Sequence, residues 1–214
     1  MDSLKNYYGA WALHGGHETA HFRPERQHVI SEIESVLQRI GANSRVLDVA
    51  CGVGFWTEAL AKGAQSVLAI DTCQQAICKA STRVTNASIR FRIGDAYRLW
   101  EIPEVFDVVF AGFWLSHVPR EMLPVFLTDV VARLADGGKI VMLDNSETDR
   151  RGRPFCRVDK FGNTFIERIV CETRYELLKN YPTSEEMERE FSRFPGKFMY
   201  SKLEHYWLAT FQKS

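Results

Sequence analysis

The chain has 214 residues, which at about 100–200 residues per domain makes one domain, or one domain with a lid. Hydrophobic residues at 45% and charged residues at 25% are globular values, and they exclude a disordered chain, a collagen-like chain and a small disulfide scaffold. Lys plus Arg and Asp plus Glu both number 27, so the chain lacks the positive surplus that phosphate reading needs, and nucleic acid is not the expected partner.

Met1 to Gly16 shows no basic end followed by an apolar run, so no signal peptide is expected. No stretch approaches the roughly 20 apolar residues that span a bilayer, and no membrane partner is expected. The five cysteines, Cys51, Cys73, Cys78, Cys156 and Cys171, are odd in number and form no C-x-x-C pair. They fit reduced thiols in a cytoplasmic protein better than a disulfide framework or a zinc site.

Val29, Ile30, Ile33, Val36, Leu37 and Ile40 follow helical spacing, and Gly41 is the expected stop. Arg45 to Val49 reads as a short buried strand, Gly52 and Gly54 as a tight turn, and Trp56 to Lys62 as a helix. Ser66 to Ile70 is a second strand, followed by a helix over Gln74 to Val84. Ile89 to Arg92 and Asp107 to Ala111 are the third and fourth strands. A helical period returns from Met122 to Leu134, Gly137-Gly138 is its expected end, and Lys139 to Leu143 is a fifth strand. Apolar strands alternating with amphipathic helices predict an α/β, doubly wound, mostly parallel sheet covered on both faces. Such sheets bind ligands at the carboxyl ends of the strands, where the strand order reverses.

After Asp144 the rhythm changes. Asn145 to Lys160 is polar, with Arg150, Arg151, Arg153 and Arg157. These guanidinium groups can hold a substrate carboxylate, but with Asp149, Asp159 and solvent nearby a solvated loop is the expectation. Phe161 to Val170 and Tyr175 to Asn180 read as two strands around a turn at Glu172-Thr173. Thr183-x-x-Glu186 is a capping box for a helix over Thr183 to Phe194. Lys197 to Lys202 and His205 to Phe211 read as closing strands.

The strongest motif is Val46-Leu47-Asp48-Val49-Ala50-Cys51-Gly52-Val53-Gly54-Phe55-Trp56, a strand that runs into a glycine turn and a helix. Such turns let a backbone approach a ligand closely, and in nicotinamide enzymes they cradle a pyrophosphate. Here the third glycine of that pattern is missing. Asp48 at the strand end would repel a pyrophosphate and suits a ligand with an ammonium or sulfonium cation.

The pattern resembles motif I of the class I S-adenosylmethionine (SAM)-dependent methyltransferases. The resemblance extends through Asp71, Gly94-Asp95-Ala96, Phe106 to Pro119 and Leu134 to Asn145. The Gly-Phe-Trp-Leu-Ser-His-Val-Pro segment, with Pro24-Glu25-Arg26-Gln27 upstream and Leu178-Lys179-Asn180-Tyr181-Pro182 downstream, is similar to a group of bacterial small-molecule methyltransferases. The resemblance implies a Rossmann-like seven-stranded methyltransferase fold over residues 1–214. It also implies an N-terminal lid over residues 1–24 and a late hairpin insertion over 145–182 that covers the substrate. Ala50 stands where the family has its first motif glycine, a mild swap on size alone.

Carried over residue by residue, Ala50, Gly52, Gly54 and Trp56 would receive SAM, and Asp48 would favour its ammonium through water or neighbouring amides. Asp71, 23 positions after Asp48, would accept the ribose hydroxyls; its alternative is a helix N-cap. Thr72 would touch the adenine edge. After Gly94, Asp95 and the Ala96 amide would read the adenine, the alternative for Asp95 being a surface turn. Ala111 and Gly112 end the fourth strand, where a backbone carbonyl can bind the ammonium. S-adenosylhomocysteine (SAH) would be the product.

The acceptor is expected beside the fourth strand's end. His117 is the candidate general base, since histidine's ordinary pKa suits a base near neutrality, and loop capping is its alternative. Phe113 and Trp114 either wall the acceptor pocket or belong to the core. Tyr8 and Trp11 in the lid are further pocket candidates. His14, His17 and His21 have helical spacing, but Gly15-Gly16 weakens a helix there, and no metal is expected. The site lacks an Asn/Asp-Pro-Pro-Tyr/Phe motif after the fourth strand, which also argues against nucleic acid. The rivals to a small-molecule O- or N-methyltransferase are a SAM-binding regulatory subunit without catalysis and a nicotinamide oxidoreductase.

Overall fold

A computed structural model describes residues 2–14, 24–150 and 154–214. An N-terminal helix α1 (Asp2–Leu13) precedes α2 (Gln27–Gly41), β1 (Arg45–Val49), α3 (Phe55–Ala61), β2 (Ser66–Asp71), α4 (Gln74–Arg83), β3 (Ile89–Ile93) and β4 (Phe106–Gly112). Then come α5 (Leu123–Ala132), β5 (Leu134–Asn145), a small unit of β6 (Arg157–Val158), β7 (Thr164–Val170) and β8 (Thr173–Leu178), and finally α6 (Ser184–Phe191), β9 (Gly196–Lys202) and β10 (Tyr206–Lys213).

Seven strands form one sheet in the order β3-β2-β1-β4-β5-β10-β9. The first five are mutually parallel, and β10 runs antiparallel to both its neighbours. The strands are near-continuous apolar runs because both faces are covered. The period of two separates them: Leu47, Val49, Val109 and Met142 enter the core with α5 and α6. Val46, Val108, Phe110 and Val141 enter the core with α2 and α3. The order reverses between β1 and β4, and the register brings Val49, Ile70, Ala111 and Met142 into one row. Ala50, Asp71 and Gly112 therefore emerge side by side at the reversal point, where open α/β sheets bind ligands.

Several boundaries differ from the sequence reading. The helix read through Leu134 stops at Ala132, and Leu134 already pairs with Phe106 in the sheet. The ladder then skips to Lys139 opposite Val108, with Gly137 left-handed at φ 71 in the bulge between them. The glycine pair thus shapes a strand irregularity rather than a helix end. The late hairpin turns at Cys171-Glu172, both with positive φ, and Thr173 already lies in β8. Two left-handed residues match the twist of a tight hairpin, but neither is a residue type that announces it. The capping box of α6 forms as read, with the Thr183 and Glu186 side chains each accepting from the other residue's amide.

The β6–β7–β8 sheet is fastened to the main sheet through Lys179 and Asn180. Lys179 Nζ donates to Asp144 Oδ1 at 2.9 Å and to Ser116 Oγ at 2.7 Å. The Ser116 amide donates to Asp144 Oδ2 at 2.9 Å. Asn180 donates its backbone amide to Ser116 O and its side-chain amide to Val118 O and Asn163 Oδ1, and accepts from the Thr164 amide. All these polar side chains except Thr164 are buried. Helix α1 packs on β7 and β8 through Tyr7, which sits with Ile166 and Leu177. Its other side joins Ala12 to Val53 of the glycine turn and to Cys73 and Ala76. Among the described residues no helix is long and apolar enough to cross a membrane.

Removing one partner of a buried ion pair strands the other charge, which typically costs about 3–5 kcal/mol. Lys179→Met should therefore lower unfolding stability by roughly that amount in urea titration. The double variant Asp144→Leu/Lys179→Met should recover a substantial part of the loss, because neither charge is then left buried.

Candidate cofactor and acceptor site

The glycine turn is built for close approach. Ala50, Gly52 and Gly54 have φ of 56, 56 and 79, three left-handed residues within five positions. A methyl built on Gly52 would meet nothing within 4 Å, whereas one on Gly54 would press on Ala80 at 3.1 Å. Gly52 thus leaves open space over the turn, and Gly54 lets α4 pack beneath it. The Ala50 swap is not mild after all. A left-handed residue with a Cβ carries about 1–2 kcal/mol of strain that glycine avoids, and size alone conceals it.

Asp71 ties two loops together. Its carboxylate accepts from the Gly52 amide at 2.9 Å and the Cys73 amide at 2.8 Å. Burial raises its pKa, opposed by these amides and that of Thr72. An ionised carboxylate has about four lone-pair sites, so hydroxyl donors can still be accepted. The N-cap of α4 is Cys73 and no side chain caps it, so Asp71 is not the cap that was its alternative reading. Asp48 lies on the α2–α3 side of β1, is 1% exposed, and accepts from Thr57 Oγ1 at 2.6 Å. Burial raises its pKa to about 7 despite the Thr57 hydroxyl.

The adenine candidates lie at the end of β3. The Gly94 amide donates to Asp71 O, and Asp95 accepts from the Tyr97 amide at 2.9 Å. Asp95 is half-buried, Ala96 buried and Thr72 exposed. At the end of β4, a Cβ on Gly112 would stand 2.7 Å from Phe110 Cζ and 3.2 Å from Trp56 Cδ1. Trp56 is therefore a buried floor of this corner and stacks on Phe113 at 6.1 Å between centroids. Phe113 itself is left-handed at φ 57, which turns the chain sharply out of β4. Phe113 joins the α2–α3 core and Trp114 the α5–α6 core, both half-buried. They diverge to opposite faces and do not form one wall.

His117 is brought to Tyr8. Its Nδ1 lies 2.7 Å from Leu178 O and must donate there, so Nε2 carries the lone pair. The Tyr8 hydroxyl donates to that Nε2 at 2.8 Å. Burial and then the Lys179 charge lower the His117 pKa to about 3. In place of the base titrating near neutrality that its residue type suggests, His117 is an imidazole that is neutral throughout the physiological range. Burial raises the Tyr8 pKa, so its hydroxyl stays protonated. Burial also works to raise Asp144, but Lys179, His117 and the Ser116 amide together hold it below the ordinary range. Trp11 meets Tyr8 edge to face at 5.9 Å.

The sequence reading quoted the segments that hold Asp144, Ser116, Leu178, Lys179 and Asn180 but gave none of these residues a role. One signal was available: Asp144 stands one residue before the end of an apolar strand, as Asp48 does, and Asp71 ends its own. Arg157 pairs with Glu176 at 2.7 Å, with the Asp159 charge also in reach, and Arg150 pairs with Glu147 at 3.3 Å. Arg151 and Arg153 lie outside the described residues, as do His17 and His21. Among the described residues, no three His, Cys, Asp or Glu side chains converge as a metal site.

Residues 46–138 match a family described as methyltransferase domain. Demethylmenaquinone methyltransferase of Shouchella clausii is 34% identical over 165 residues, covering 74% of this chain and 67% of that protein. The counterpart of Lactiplantibacillus plantarum is 32% identical over 118 residues, 52% of this chain and 49% of that protein. The chain thus aligns with about half to two thirds of these curated relatives' length. A solved DhpI–SAH complex matches with a TM-score of 0.81 at 21% identity, covering 100% of this chain and 96% of that one. The N-methyltransferase NodS from Bradyrhizobium japonicum matches with a TM-score of 0.62 at 19% identity, over 90% and 98%. The chain belongs to the SAM-dependent methyltransferases. The open space over Gly52 and the remaining acceptor sites on Asp71 fit that class's cofactor.

The raised pKa of Asp48 has a definite sign. Its folded value, about 7, exceeds an unfolded value of about 3.9, so the folded protein binds more protons between them. Stability should fall as pH rises from about 4 to about 7, then level off. Asp48→Asn should flatten this slope in chemical denaturation across that range.

Proposed function

We propose that this chain transfers a methyl group from SAM to a small molecule at oxygen or nitrogen, with His117 as the proton acceptor. The observation that carries the reading is the Tyr8–His117–Leu178 hydrogen-bond chain, with His117 five positions after Gly112, where β4 ends. Bound SAM supplies an electrophilic methyl on a sulfonium whose positive charge disappears as the methyl departs. Gly52 and Gly54 would give it backbone to lie on, Asp71 would accept its ribose hydroxyls, and Asp95 with the Ala96 amide would read the adenine edge. Asp48, buried under the turn and bonded to Thr57, would act on the ammonium through water or neighbouring amides rather than by contact.

His117 cannot turn over, because its Nδ1 proton is committed to Leu178 O. Its Nε2 lone pair faces Tyr8, which either passes a proton from the acceptor to the imidazole or yields its place to the acceptor hydroxyl. With a pKa of about 3 the imidazole is a weak base at rest. A sulfonium held near the imidazole would lose its charge on methyl transfer, which would favour the protonated ring. Residues 1–24 would act as the lid, with α1 touching both the glycine turn and the small sheet, and residues 145–182 would cover the acceptor.

The reading is tested by incubating the protein with SAM and a small-molecule mixture, following SAH release and the gain of one CH₂ by mass. A SAM-binding regulatory subunit would bind SAM without turnover. Two variants separate the roles. His117→Ala should cut kcat about 10²-fold, the usual scale of a general base, with SAM affinity nearly unchanged. Asp71→Ala should weaken SAM binding by about 1.5–3 kcal/mol, or roughly 10–150-fold. Near-normal turnover in His117→Ala would make His117 structural.

A further inference from the structure

The inner face of the small sheet carries one charge that no carboxylate among the described residues answers. Side chains alternate along β7, so Ile166, Arg168 and Val170 share a face. Ile166 and Val170 belong to the cluster formed with Tyr7, Tyr8 and Trp11 of α1. Arg168 therefore lies on the face that α1 covers, opposite Tyr175, and Tyr175 meets Tyr7 edge to face at 5.6 Å. The other arginines of this sheet are neutralised: Arg157 pairs with Glu176 at 2.7 Å and Arg174 with Glu167 at 3.2 Å. Arg168 is half-buried, and its one hydrogen bond among the described residues is to the neighbouring Glu167 carbonyl at 3.0 Å. It has no carboxylate partner among them. A guanidinium has five donors, so most of this one's capacity is uncommitted.

We propose that Arg168 is the acceptor-recognition residue of this site and that the methyl acceptor carries an oxyanion, a carboxylate or a phosphate-type group, which the guanidinium holds beside the Tyr8 hydroxyl. The inference rests on the methyltransferase reading and gives it a substrate class. Guanidinium and oxyanion match as a planar fork, and such charge-assisted bonds are about twice as strong as neutral ones. The electrostatics agree with the placement: the Arg168 charge reaches Tyr7, Tyr8 and His117, working to lower the pKa of each. An anion bound there would sit within the field of the same hydrogen-bond chain that receives the acceptor's proton. The charge itself selects against neutral and cationic acceptors, which would leave a half-buried guanidinium without a partner.

The test uses the full chain saturated with SAH and two probe anions, acetate and inorganic phosphate, titrated at constant ionic strength. Binding is read by tyrosine and tryptophan fluorescence and checked by calorimetry. At least one anion should bind saturably, and Arg168→Met should weaken it at least tenfold, while Arg157→Met leaves it unchanged. The arm that binds more tightly distinguishes a carboxylate acceptor from a phosphate-type one. SAH affinity, measured separately, should be equal in all three proteins. Absence of saturable binding by either anion, or equal binding in wild type and Arg168→Met, would overturn the proposal. Failure of SAH to bind would instead overturn the methyltransferase reading, and the two failures are therefore distinguishable.

Discussion

The Asp144–Lys179 pair organises everything on the acceptor side of this molecule. Two charges taken out of water need each other and need further hydrogen bonds to offset their desolvation. Here Ser116 supplies an amide to one and a hydroxyl to the other. That constraint sets the end of β8 against the loop after β4. Leu178 precedes the lysine, so its carbonyl is delivered to His117 Nδ1, and the imidazole's tautomer follows. Because β8 is fixed, the apolar face it shares with β7 is fixed too, and α1 has a surface on which to dock. The position of Tyr8 against Nε2 is the last consequence of a bond made two layers away.

The glycine turn and the acid that ends β2 were legible because they depend on local chemistry. A strand of residues buried on both faces, a turn that requires left-handed backbone, and an acid ending the next strand all leave marks in a short window of sequence. Asp48, Gly52, Gly54 and Asp71 could be placed without any long-range information. The seven-stranded sheet followed for the same reason, since apolar runs and helical periods alternate openly from β1 to β5.

The acceptor side was not legible, because its contacts are made across long sequence separations. Tyr8 and His117 are 109 positions apart, and Lys179 and Asp144 are 35 apart. Nothing in the period of either segment announces the other. Helix α1 carries a weak pattern because its two sides pack on different units rather than on one core. The two-residue hairpin at Cys171-Glu172 and the bulge at Gly137 were displaced in the reading for a related reason: strand pairing, not residue type, decides where those turns fall. The cost of Ala50 was likewise hidden, since a φ angle is not written in side-chain volume.

The central claim is that one end of the sheet binds the cofactor at the β1–β4 reversal and that α1 closes over it. Amide hydrogen exchange with and without SAH tests this most directly. The account predicts slower exchange at Cys51 to Gly54, Asp71 to Cys73 and Asp95 to Tyr97, accompanied by slowing along α1. Exchange unchanged in all of these, with protection found instead in the surface groove lined by Gln27, Phe55, Lys62 and Arg83, would contradict it.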